Sequence, residues 1–143
     1  AFMAGLKAAA AAPTWPGING AIVPTEIFAN GSFLHNLTYN KIGVHFIHRT
    51  LANIIGLFVF LWWYYSRAVT SSPAFNKAKN VTLAVVAAQI LLGICTVLAS
   101  PKITAGKFGT FEWLALIHQL TGMMLLLSLV SVIFISGKRQ KTF

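Results

Sequence analysis

Ile42 to Tyr65 reads IGVHFIHRTLANIIGLFVFLWWYY, and this stretch decides the fold. A helix that crosses a hydrocarbon core takes roughly 20 mostly apolar residues, and this run meets that need. It closes on Trp62, Trp63, Tyr64 and Tyr65, four amphipathic rings of the kind that settle at headgroup level. Working outward, two more runs qualify. One covers about 81–99 and ends just before Pro101; the other covers about 112–135 and stops at Gly137, Lys138 and Arg139. Composition agrees: 57% of the 143 residues are hydrophobic, 9% are charged and Asp is missing altogether. Soluble domains carry about 25% charged residues, so a water-solvated globule is excluded. Eleven Lys and Arg against two Glu give a net charge of +9. These bases lie between apolar runs and read as membrane-flanking anchors, not as a stripe for nucleic acid. Cys95 is the single cysteine, so no intrachain disulfide forms.

The expected fold class is all-α: an integral membrane helix bundle of three full spans (about 42–65, 81–99 and 112–135) plus the end of a fourth. Residues 1–12 are alanine-rich, apolar and too short to cross, and are expected to be the end of a truncated span, which would make the chain a fragment. Residues 13–40 hold Pro13, Pro16, Pro24, Gly17, Gly20 and Gly31 and read as an extramembrane loop, with a short interfacial helix around Thr25 to Ala29. Residues 41–143 form the three-span bundle. Let X be the side where the first span begins and Y the other. Arg67, Lys77, Lys79, Lys138, Arg139 and Lys141 fall on Y, and Lys7, Lys41, Lys102 and Lys107 on X, a balance that favours Y as the cytoplasmic or matrix side.

Two histidines share one depth. His48 follows Lys41 and His118 follows Glu112 at similar spacing, so both imidazoles lie roughly 9–11 Å inside the starts of spans that run in the same direction. Such a pair can clamp a planar metallocofactor, because haem iron accepts axial imidazole and bundle cores build such sites from facing helices. The plainer alternative is a hydrogen bond from each histidine to a neighbouring helix. Zinc is a weaker fit: it wants three or four ligands in a tetrahedron, and His45, His48, His118, Cys95 and Glu112 do not form a zinc motif. Arg49 is a candidate partner for haem propionates, or else an arginine snorkelling to the X headgroups. His45 lies one turn before His48 and either orients the pocket or is structural. Ala52 with Gly56, the Gln89, Gly93, Thr96 stripe, and Gly122 suit close helix packing. The sequons at Asn30, Asn36 and Asn80 carry no expectation.

The runs HFIHRTLA (His45 to Ala52), LLGICTVLAS (Leu91 to Ser100) and LALIHQLTG (Leu114 to Gly122) resemble the C-terminal half of haem A synthase, and the opening AFMAGLKA with TWPGING resembles the end of that family's fifth span and its following loop. The resemblance implies an eight-span oxidoreductase of two similar halves, which converts haem O to haem A by oxidising a ring methyl to a formyl group for cytochrome oxidase assembly. It implies that the C-terminal half holds a haem b cofactor, with His48 and His118 as its metal ligands; Arg49 and His45 remain cofactor-binding candidates from the residues alone. The substrate half of the family carries a Glu where this chain has His45, so no catalytic residue carries over. Ser100 to Phe111 departs from the family's usual shorter link. The implied partners are haem O in the other half, the lipid bilayer, haem O synthase and cytochrome oxidase assembly factors. The implied location is the bacterial plasma membrane or the mitochondrial inner membrane, with the haem side toward periplasm or intermembrane space. Two alternatives remain from the residues: a non-catalytic cytochrome b anchor of a respiratory complex, and a haem-free packing subunit.

Overall fold

A computed structural model describes residues 3, 6–29, 31–68, 71–104 and 106–139. Among these, four α-helices follow one another: α1 (Phe33–Tyr39), α2 (Lys41–Ser66), α3 (Pro73–Ala99) and α4 (Thr110–Arg139). The chain is a helical membrane bundle, and α2, α3 continued to Lys102, and α4 to Gly137 are each long and apolar enough to cross. Residues 1, 2, 4 and 5, on which part of the truncated-span expectation falls, lie outside the described residues, as do Asn30 and Lys141.

Helix starts follow side-chain caps. Asn40 Oδ1 accepts from the backbone N–H of Ile42 at 2.8 Å and Gly43 at 3.4 Å, opening α2. Ser72 Oγ accepts from Phe75 N–H, and Pro73 takes the first helical position of α3, where its missing N–H costs nothing. The second span therefore begins, as α3, well before the apolar run at Val81. Asn76, Lys77, Lys79 and Asn80 interrupt hydrophobicity there without interrupting the backbone ladder. At α4 the Glu112 carboxylate accepts from Gly109 N–H at 2.7 Å.

The X-side segment holds more structure than a loop. Thr25–Phe28 forms a 3-10 turn, and α1 follows, capped by Ser32 Oγ. Asn36 is buried on α1, and its Nδ2 donates to the carbonyls of Ile27 (3.4 Å) and Ala29 (2.6 Å). Earlier, Ile18 and Ala21 exchange both backbone hydrogen bonds around Asn19 and Gly20, whose φ values are +51° and +90°. Two positive φ angles make this a type I′ hairpin turn, for which Asn-Gly is the favoured pair.

Helix α3 is the middle layer. It packs along α4 and, less extensively, along α2, whereas α2 and α4 have almost no mutual contact. Most of each span faces outward with apolar side chains such as Leu57, Phe58, Leu126, Leu127 and Ile133. Gly56 sits where α2 comes closest to α3; a Cβ there would stand 2.8 Å from Ile90 Cδ1.

Candidate functional site

His48 on α2 and His118 on α4 approach each other beside α3. The His48 and His118 ring centroids are 6.2 Å apart with the ring planes at 80°. Each ring lies about two turns into its helix. A metal ion bound from opposite sides by two imidazoles, at about 2 Å per bond, sets the centroids roughly 6 Å apart. The observed spacing fits that demand.

The surroundings of His118 are buried and polar. His118 Nδ1 is buried and without a hydrogen-bond partner among the described residues. Its Nε2 lies 3.5 Å from Gln89 Nε2 on α3, and Gln89 Oε1 is likewise buried and unpartnered. Gly93 lets the His118 ring lie directly on the α3 backbone, since a Cβ there would meet His118 Cε1 at 3.1 Å. Gly122 receives the Gln89 amide in the same way, with its would-be Cβ 3.2 Å from Nε2. The stripe read from sequence as helix packing thus touches the candidate ligand. Among the described residues no three of His, Cys, Asp and Glu gather around one metal position.

The other two expected residues serve the X-side cover. His45 is completely buried, and its Nε2 lies 3.3 Å from the Ala9 carbonyl. Arg49, 9% exposed, donates from Nη2 to Ala12 O at 2.6 Å and from Nη1 to Thr14 O at 2.9 Å and Gly17 O at 3.2 Å. Its Nε has no partner among the described residues. An internal mesh stiffens this cover: Thr14 Oγ1 donates to Gly17 O and accepts from Asn19 N–H, and Asn19 Nδ2 donates to Ala11 O. The Ala9–Ala11 turn touches both α2 and the Ser100–Lys102 turn that ends α3, so the segment crosses the X end of the bundle.

Residues 1–130 match the family described as cytochrome oxidase assembly protein. The chain belongs to that family. Within this haem A synthase family it is 33% identical over 124 residues to the Heme A synthase of Nitrosospira multiformis, covering 87% of this chain and 32% of the relative. The corresponding values are 35% over 127 residues for the Heme A synthase of Paramagnetospirillum magneticum, with 87% and 32% covered. For that of Erythrobacter litoralis they are 29% over 149 residues, with 99% and 38% covered. The chain therefore spans about a third of the length of these curated relatives. No solved structure matches it.

Proposed function

We propose that this chain is the haem b-holding, C-terminal half of a haem A synthase-type membrane oxidoreductase, which converts haem O to haem A by oxidising a ring methyl to a formyl group. The observation that carries the reading is the approach of the His48 and His118 rings from two different spans, 6.2 Å between centroids. His48 and His118 are the residues that would hold the haem iron. Gly93 gives the His118 ring its room against α3, and Gln89, at the ring's edge, would have to turn its Oε1 toward a ring N–H for the other ring nitrogen to hold the iron. Arg49 holds the 12–17 segment over the X end with its Nη groups and would offer its unpartnered Nε to a propionate. His45 supports the same cover through Ala9. Held by two imidazoles, such a haem would supply one-electron transfer.

No residue of this chain is assigned to methyl oxidation. The catalytic Glu and the haem O site belong to the other half. Side X faces the periplasm of a bacterium, or the intermembrane space if the membrane is mitochondrial, and haem O synthase and cytochrome oxidase assembly factors are the partners. A cytochrome b anchor would use the same histidine pair; the family match supports the synthase reading over it.

The visible spectrum of the purified chain supplied with haem b tests the ligands. A low-spin, reducible Soret band is expected, lost in His48→Ala and in His118→Ala and largely kept in His45→Ala. Loss in His45→Ala with retention in His48→Ala would overturn the assignment.

A further inference from the structure

The haem reading uses only the X end. At the Y end, α2 finishes in a group that reading leaves idle. Arg67, the residue after Ser66, lies with its guanidinium carbon 4.8 Å from the Trp63 ring centroid and 4.9 Å from that of Tyr64. Ring faces attract the planar cation and aim it without using its N–H groups. Those N–H groups make no hydrogen bond among the described residues. The platform is itself locked: Trp63 Nε1 donates to Asn80 Oδ1 on α3 at 2.8 Å, and Lys79 Nζ donates to Ser66 O at 3.0 Å. Beside the cation, Tyr64, Tyr65, Arg67 and Ala68 line an open hollow of about 470 Å³.

Charge balance then decides what the hollow takes. The chain has two acidic side chains, Glu26 in the Thr25–Phe28 turn and Glu112 in the first turn of α4. Both stand at the X end, and α2 alone puts roughly 40 Å between that end and Arg67. No Asp or Glu of this chain reaches the Arg67 fork, which leaves its N–H groups open to an anionic group from outside the chain. The fork matches phosphate oxygens in pairs, and the rings beneath it sit at the level where headgroups lie.

We propose that the Tyr64–Tyr65–Arg67 hollow is a seat for the phosphate of an anionic membrane lipid. The aromatic platform selects a lipid over a free anion, because the phosphate must arrive with glycerol and acyl carbon alongside the rings. The proposal does not depend on the haem site.

The test uses the full chain with Trp15→Phe and Trp113→Phe, so that fluorescence comes from Trp62 and Trp63 at this end. The protein is placed in phosphatidylcholine vesicles containing brominated phosphatidylglycerol, or brominated phosphatidylcholine as reference. Brominated phosphatidylglycerol should quench more at equal fraction. Arg67→Gln should lower its apparent affinity about tenfold or more, the worth of a charge-assisted hydrogen-bonded contact to phosphate and more than one basic group gives through surface potential alone. Lys77→Gln, an equal loss of charge on an exposed side chain of α3, should keep it within about twofold. Unchanged quenching by brominated phosphatidylcholine certifies that each variant is inserted, and Arg67→Lys, which keeps charge but not the fork, should fall between. Equal losses in Arg67→Gln and Lys77→Gln would mean a diffuse surface potential and overturn the seat. Relief of quenching by inorganic phosphate would assign the site to a free anion and overturn the lipid.

Discussion

Arg49 and Arg67 lie about five turns apart on one helix and are stabilised by opposite means. Arg49 is buried and spends its Nη groups on the carbonyls of Ala12, Thr14 and Gly17. Arg67 is exposed and rests on two rings, its donors turned outward. The X end is thus closed by the chain's own backbone folded over a cation, while the Y end is finished by an aromatic platform that leaves a cation on offer. A guanidinium near a membrane does not require a carboxylate: peptide carbonyls or ring faces serve, and which of them it meets decides whether it organises structure or waits for a ligand.

This contrast can be broken experimentally. Arg49→Gln should cost about 3 kcal/mol, because it strands carbonyls that accept charged hydrogen bonds. Denaturant unfolding in detergent would read that cost, and protease added on side X should begin to cut within residues 12–22. Arg67→Gln should stay within about 0.5 kcal/mol of wild type in the same titration. Equal costs would erase the distinction between the two arginines.

A smaller loss, about 2 kcal/mol, is expected for Gly43→Ala, whose new methyl would collide with the Asn36 carbonyl, a backbone atom that cannot swing aside. A lowered midpoint of thermal loss of helicity would register it. Lys79→Met should cost least among the buried positions, about 1 kcal/mol, since one hydrogen bond to Ser66 O is lost and the apolar stem is kept. If Lys79→Met proved more damaging than Arg49→Gln in matched titrations, the Y end and not the X end would be the tightly closed one.

The spans were legible because their signal is length and hydropathy, which need no partner. The run 42–65 matches α2 (Lys41–Ser66) within a residue at each end. The start of α3 escaped a reading based on hydropathy, since its first turns carry Asn76, Lys77, Lys79 and Asn80; the Ser72–Pro73 pair was the available mark. Helix α1 was also announced only by a cap, Ser32, ahead of a mixed sequence too short for periodicity. Asn19-Gly20 was a readable hairpin sign inside a segment treated as punctuation.

At the site, matched depth brought His48 and His118 to attention, and their rings do meet. Arg49 was weighed against carboxylates and headgroups, whereas its partners are three main-chain oxygens. Every residue carries such an oxygen, so no residue type betrays them. Gln89 and Gly93 stood out as a packing stripe, and their contact with His118 depends on how α3 is rotated against α4, a quantity that hydrophobicity leaves undetermined when nearly every face is apolar.

The elbow between α1 and α2 has a mechanical consequence. Asn36 is tied to Ile27 and Ala29, its own carbonyl abuts Gly43, and Asn40 caps the helix that follows. The first histidine therefore inherits its level from a bracket that precedes the span, not from the match between helix length and hydrocarbon thickness. In a thinner or thicker bilayer, tilt and adjustment fall on the opposite, ring-rich tip, and the imidazole keeps its distance from the aqueous boundary.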